Sequence, residues 1–290
     1  TLTTMNESLS VLEIFKKSSE FLLKKEISSH KSDAEWIIST FLNISKLDIY
    51  LDKHFIENHS SLDHIRSAIV RRGKREPLQH ILGSVDFYNC TLISDKRALI
   101  PRFETEQLIE LIIQNLPNNF SGIISDFGTG SGSIIIALAK YYKYSKCFGI
   151  DRCPLALSLA KENVLKNQLE SRIELSEYDW THQQYNRNNV DLLVANPPYL
   201  SEREWDSTEP EVKDYDPKIA LVASDSGKSD IEAILKIAPK VMAKSGMLAM
   251  EFGLGQSDFI TEECKGLFTD ILIKKDLSGI RRFFIGKLKD

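Results

Sequence analysis

The sequence predicts an α/β protein: a doubly wound, mostly parallel sheet preceded by a small helical domain. Three observations carry that expectation. Beyond residue 102, short apolar runs alternate with stretches of helical period over brief connections. A glycine-rich turn, DFGTGSG, follows the first of those runs, and a rigid NPPY corner ends a later one. Before residue 77 the periodicity is helical throughout. The expected organisation is a helical domain over 1–76, a hairpin linker over 77–101 and an α/β domain over 102–290.

In the first segment, SLSVLEIFKKSSEFLLKK places Leu9, Leu12, Phe15 and Leu22 near one helical face. Ser32-Asp33-Ala34-Glu35 reads as a capping box ahead of WIISTFL. Ser60 and Asp63 repeat the signal before a helix ending RRGKR, with Gly73 as its C-cap. The cluster Arg71, Arg72, Lys74 and Arg75 suits a helix C-terminus, with a partner-binding face as the sharper alternative. From Pro77 to Pro101, VDFYNCTLISDKRALIP alternates like strands broken at Asn89, a hairpin pattern.

After Pro101 the elements follow in order. Helix ETEQLIELIIQNL leads to strand GIISDF, helix IIIALAKYY to strand KCFGID, and helix PLALSLAKENVLKN to strands RIELSEYDW and VDLLVANPPY. Helix IEAILKIAPKVM precedes strand GMLAMEFG, with two more strands near DILIKKD and IRRFFIGK. Ligands of such sheets bind beyond the carboxyl ends of the strands, where the strand order reverses.

Bulk properties narrow the function. A net charge of −4 gives no global cationic field, so direct nucleic-acid contact is not expected. Cys90, Cys147, Cys153 and Cys264 form no C-x-x-C pair and no metal-ligand spacing with histidine, and read as reduced thiols of a reducing compartment. His59 and His64 lack the glutamate of a zinc-helix motif and read as surface or satisfied histidines; no metal is expected. No apolar run reaches the ~18 residues of a membrane span, and no leader opens the chain. The first residue, Thr1, reads as a trimmed end, or Met5 as the true start.

The candidate site lies at successive strand ends. Gly128, Thr129, Gly130, Ser131 and Gly132 form a turn that lets backbone approach a ligand. A dinucleotide fingerprint wants glycine where Ser133 stands, which weakens a nicotinamide reading. Asp151 ends the next strand, where a carboxylate can accept both hydrogens of a ribose diol. Asp179 and Trp180 follow the third, suited to the edge and face of an adenine. Each alone is commonplace, Asp151 as a turn residue and Trp180 as core. Together they point to a nucleoside-type cofactor.

The corner Asn196-Pro197-Pro198-Tyr199 ends the fourth strand. Each proline forces its predecessor extended and has no N–H, so the corner offers the Asn196 side-chain oxygen and a backbone carbonyl, Pro197's, as fixed acceptors. Two acceptors fit a planar –NH2 group, and Tyr199 can stack on its plane. Adenine, cytosine and glutamine amines all satisfy that chemistry.

The glycine loop, Asp151 and NPPY together resemble the class I S-adenosylmethionine-dependent methyltransferases. That resemblance implies a Rossmann-like seven-stranded sheet, S-adenosyl-L-methionine as cofactor and S-adenosyl-L-homocysteine as product. The methionine would lie beside Gly128–Gly132 and the ribose on Asp151, with Trp180 and Asn196 also touching the cofactor. REPLQHILGSVDFYNCTLISDKRALIPRFETE, DFGTGSG, NPPY, EFGLGQ and KDLSGIRRF resemble the HemK/PrmC family of release-factor glutamine methyltransferases. The resemblance implies methylation of the Gly-Gly-Gln glutamine of class-1 peptide-chain release factors, with Asn196, Pro197 and Tyr199 catalytic and Asn196–Tyr199 binding substrate. It implies that residues 1–76 grip the release factor, in the cytoplasm or an organellar matrix. An exocyclic-amine nucleic-acid methyltransferase is the alternative, and a non-catalytic S-adenosylmethionine-binding factor a third reading. Two positions depart from the family: Phe103 replaces a usual second proline, giving a less rigid loop, and Asp216 replaces a usual glutamate. Arg102 and Glu104 are read as a pocket wall or, preferably, salt-bridge partners.

Overall fold

The computed structural model describes residues 9–51, 55–56, 59–182, 185 and 187–290. The chain divides between Gly83 and Ser84 into two compact units, so the segment 77–101 is shared between them.

The first unit contains strand β1 (Leu9–Ser10), helices α1 (Val11–Lys24), α2 (His30–Leu42) and α3 (Lys46–Tyr50), strand β2 (Phe55–Ile56), and helices α4 (His59–Gly73) and α5 (Leu78–Leu82). Its core is the shared apolar face of α1, α2 and α4, with Val11, Ile14, Leu22, Ile37, Ile38 and Ile65 among the buried residues. The stripe on α1 starts at Val11 because Ser10 caps the helix through a reciprocal bond with Glu13. The side chains of Leu9 and His59 lie outside the described residues; His64 is exposed.

Three expectations here are corrected. The Ser32–Glu35 signal does not begin a helix: α2 has already started at His30. Asp33 is instead buried against the Arg72 guanidinium, at 2.7 Å, and accepts from Ser29 Oγ at 2.8 Å. Likewise Ser60 and Asp63 sit inside α4. Gly73 ends α4 without the left-handed turn, which falls on Arg75 (φ 71°); a side chain on Gly73 would meet the Phe21 ring at 2.6 Å. Three of the basic cluster have partners within this unit: Arg72 on Asp33, Arg71 on Glu76, and Arg75 donating to the Glu26 carbonyl.

The second unit opens with a hairpin, β3 (Ser84–Phe87) and β4 (Cys90–Ile93), turned by Tyr88 and Asn89, both at positive φ. Then follow α6 (Phe103–Asn115), β5 (Ile123–Phe127), α7 (Ser133–Tyr141), β6 (Lys146–Asp151), α8 (Pro154–Lys166), β7 (Ile173–Glu177) and β8 (Val190–Ala195). Short helices α9 (Glu202–Asp206), α10 (Pro210–Lys213) and α11 (Ser224–Gly227) lead to α12 (Ser229–Val241), β9 (Met242–Glu251), α13 (Ser257–Glu263), β10 (Phe268–Lys275) and β11 (Arg281–Leu288).

The seven strands run β10-β11-β9-β8-β5-β6-β7, parallel from β9 to β7, with β11 and β10 antiparallel. Helices cover both faces. Leu192 and Val194 point into the core with α6 and α7, whereas Leu193 and Ala195 point into the core with α12. Burial on both faces is why β8 reads as an unbroken apolar run. The strand order reverses at β5 and β8, whose final paired residues are Phe127 and Ala195. Gly128 and Asn196 therefore leave the sheet side by side.

Candidate active site

Beyond β5 the chain turns through Gly128, Gly130 and Gly132, all at positive φ. At Gly128 a β-carbon would also lie 3.3 Å from the Trp180 ring. The turn is held by β6: Gly128 and Thr129 N–H both donate to the Ile150 carbonyl at 2.9 Å, and Gly130 N–H donates to Asp151 Oδ2 at 2.8 Å. The other Asp151 oxygen accepts from Cys153 N–H at 2.9 Å. Burial pushes the Asp151 carboxyl up, against the pull of the Cys153 and Gly130 N–H groups. A carboxylate has about four acceptor sites, so this fixed Asp151 can still receive a diol. Beneath the turn, Asp126 accepts from Thr129 Oγ1 at 2.7 Å; complete burial pushes it up to about 7.

A cavity lies over this turn. It is lined by Gly128, Thr129, Gly130, Ser131, Asp151, Trp180, Asn196 and Pro198. Residues 97–102 and the segment around Pro217 and Ile219 complete its wall. Arg102 joins those two segments, its Nη2 donating to Asp216 Oδ2 at 2.6 Å, so the aspartate found here makes a salt bridge. Burial pushes Asp216 up to about 6, opposed by the Arg102 charge. Trp180 is buried against Phe127 and carries the Arg152 guanidinium 5.7 Å from its ring. Asp179 lies off the cavity, turned to Thr181 N–H and Oγ1.

Three of the expected residues take other places. Gly132 is the N-cap of α7 and does not line the cavity, and Pro197 is buried outside its lining. Tyr199 does not line the cavity; its hydroxyl donates to Glu251 Oε1 at 3.1 Å, and Arg282 Nη1 approaches that hydroxyl at 3.4 Å. Burial and the Glu251 charge raise the Tyr199 hydroxyl. Its backbone is fixed by N–H donation to the Leu221 carbonyl (3.1 Å) and by Gln256 Nε2, which donates to both Tyr199 O (3.0 Å) and Gly227 O (3.1 Å). Asn196 Nδ2 donates to Thr105 Oγ1 at 3.2 Å, and Thr105 Oγ1 donates to Glu251 Oε2 at 2.8 Å.

Thr105, Glu251, Gln256 and Arg282 were not singled out by sequence. Glu251 carried one usable signal: it is a carboxylate ending the strand beside β8, where site residues of parallel sheets collect. Thr105 carried none. Among the described residues no His, Cys, Asp and Glu group is placed to hold a metal, and no helix is long and apolar enough to cross a membrane.

Comparison with known proteins places this geometry. Residues 13–83 match the PrmC N-terminal domain and residues 105–210 the Methyltransferase small domain. The chain is similar to the release factor glutamine methyltransferase of Geobacter sulfurreducens, at 28% identity over 99% of this chain and 100% of the relative. That of Fusobacterium nucleatum is 34% identical over 95% and 78%, and that of Chlorobaculum tepidum 31% over 94% and 95%. Among solved structures, the hMettl16 catalytic domain in complex with MAT2A 3'UTR hairpin 6 aligns with a TM-score of 0.54 at 13% identity, over 81% of this chain and 84% of that one. That likeness is one of fold alone.

Proposed function

The chain belongs to the release factor glutamine methyltransferase family, and from that premise we propose that it methylates the side-chain amide nitrogen of the Gly-Gly-Gln glutamine in class-1 release factors. The observation that carries this reading is the adjacent departure of Gly128 and Asn196 from the paired strands β5 and β8 into one cavity. One acceptor side chain then faces the space where a nucleoside-type cofactor fits.

The fit to S-adenosyl-L-methionine rests on the chain's own groups. The glycine turn leaves backbone open to the cavity, Asp151 is oriented by two N–H donors, and Trp180 offers an apolar ring wall. When bound, the cofactor supplies an electrophilic methyl carbon on a sulfonium.

An amide nitrogen is a poor nucleophile because its lone pair is delocalised. Asn196 holds the substrate –NH2 by accepting a hydrogen, which orients the nitrogen and fixes its approach. As positive charge grows on nitrogen, the same acceptor binds it more strongly than in the ground state. Pro198 lines the cavity beside it and excludes water from that face. Tyr199, held on Glu251 and Gln256, fixes the corner rather than stacking on the amide.

The test is transfer of label from radiolabelled S-adenosylmethionine to a release factor, to its Gln→Ala loop variant and to duplex DNA. Label confined to the intact release factor is expected. Label on DNA, or equal label on the Gln→Ala variant, overturns the substrate assignment.

A further inference from the structure

We propose that Thr105 and Glu251 form a proton-counting relay that sets which end of the Asn196 carboxamide faces the cavity. The inference rests on the amide-binding role given to Asn196 above and names the positioning residues that role requires.

Hydrogen counting carries it. An ionised carboxylate only accepts, and both Glu251 oxygens are engaged, Oε1 by Tyr199 Oη at 3.1 Å and Oε2 by Thr105 Oγ1 at 2.8 Å. The Thr105 hydroxyl has one hydrogen, and it points at Glu251. Its remaining capacity toward Asn196 is therefore as acceptor alone. Only the N–H end of the carboxamide can sit there, and Asn196 Nδ2 does, at 3.2 Å. Turning the amide over would set oxygen against oxygen. The carbonyl end is thereby left for the cavity that Asn196 lines. Arg282 reinforces the direction: anchored on Asp276 at 2.9 Å, it donates toward Tyr199 Oη and keeps that hydroxyl's hydrogen on Glu251.

A protonated Glu251 removes the constraint. It can donate to Thr105, whose hydrogen is then free to support the reversed amide. The reversed amide presents –NH2 to a substrate –NH2, donor against donor, and transfer stops. The charged and polar groups facing Glu251 are the Arg282 guanidinium from β11, the Glu104 carboxylate from α6, and the hydroxyls of Thr105 and Tyr199. Burial and Glu104 raise the Glu251 carboxyl, while Arg282 and the two hydroxyls lower it.

The experiment compares full-length wild type with Thr105→Val, Thr105→Ser, Glu251→Gln and the Thr105→Val/Glu251→Gln double variant. Thr105→Val keeps the shape and removes the hydroxyl; kcat is expected to fall about 10- to 100-fold, the range for groups that orient a functional ligand. KM for S-adenosylmethionine should stay within about 2-fold, and Thr105→Ser should restore most of kcat. The double variant should cost little more than Thr105→Val alone. Wild-type kcat should fall at acid pH, and Thr105→Val should lack that limb. Full additivity, or a Thr105→Val enzyme with unchanged kcat and acid limb, overturns the relay.

A second readout needs neither substrate nor turnover. With 15N-labelled asparagine, an Asn196 Nδ2 hydrogen should exchange slowly in wild type and Thr105→Ser but fast in Thr105→Val. Equal exchange in wild type and Thr105→Val, alongside normal methylation, defeats the relay and leaves the proposed function standing. The expected exchange pattern in an enzyme that leaves the release factor unlabelled defeats the function and leaves the relay standing.

Discussion

Gly227 is pressed against the main chain of Tyr199, so that a β-carbon on Gly227 would lie 2.2 Å from the Tyr199 carbonyl oxygen. It also sits at φ +84°, a region unfavourable to side chains. The same oxygen accepts from Gln256, so the contact fixes the end of the Asn-Pro-Pro-Tyr corner. Gly227→Ala should destabilise the protein by about 2–4 kcal/mol, combining left-handed strain with a backbone clash, and should lower turnover. Gly255, at φ +79° with nothing within 4 Å, isolates the strain. Gly255→Ala should cost only about 1–2 kcal/mol. Denaturant midpoints and kcat for the two variants make the comparison; equal losses would mean that the Tyr199 contact is not structural.

Asp151 and Asn196 line one cavity but should fail differently. Asp151→Ala removes a fixed carboxylate and is expected to weaken cofactor binding about 10- to 100-fold by calorimetry, as for a lost charged hydrogen bond. Asn196→Ala is expected to lower kcat about 100- to 1000-fold with a smaller loss of cofactor affinity. Matching losses of affinity in both variants would contradict the separate roles.

The fold was legible in the sequence to the extent that burial is written in local composition. Val190–Ala195 is covered on both faces, so its apolar run marks a central strand without any knowledge of its neighbours. That residues 128–131 and Asp151 would line a cavity was legible because the space beyond the strand ends of such sheets is where ligands bind. What stayed hidden depends on distant partners. Thr105 meets Glu251 across 146 positions, and Arg102 meets Asp216 across 114, with no local pattern announcing either pair. Asp33 misled for the same reason: its capping-box spacing is ordinary, but a buried Arg72 lies 39 positions away. Tyr199 looked like a stacking ring because an aromatic at a corner has two uses, and only packing separates them.

Asp126 gives stability a pH dependence. Burial raises its carboxyl to about 7, above the ordinary value, so the native protein holds a proton that the unfolded chain releases. The stabilisation from that proton is complete below about pH 4 and is lost as pH rises through 7. Asp216, raised to about 6, acts in the same direction. Asp126→Asn removes one titration and keeps an acceptor for the Thr129 hydroxyl. The fall in unfolding free energy between pH 5 and 8 should become shallower by at most about 3 kcal/mol. Urea titrations across that range decide it; parallel curves would show that Asp126 does not titrate there.

Phe103 occupies the first turn of α6, directly after its N-cap Arg102. The side chain is 62% exposed. An N-terminal helical N–H has no intrahelical partner, so proline loses nothing there and its fixed φ suits the helix. The residue before a proline must be extended, and Arg102 already is, at φ −95° and ψ 146°. Phe103→Pro should therefore stabilise the protein by about 0.4–1 kcal/mol through the unfolded state, about 1–4 °C in Tm. Activity should stay near wild type, because Phe103 lies outside the cavity that Arg102 lines. A lower Tm would mean that the chain at Phe103 needs a conformation proline cannot adopt, and that the departure from the usual proline is structural rather than neutral.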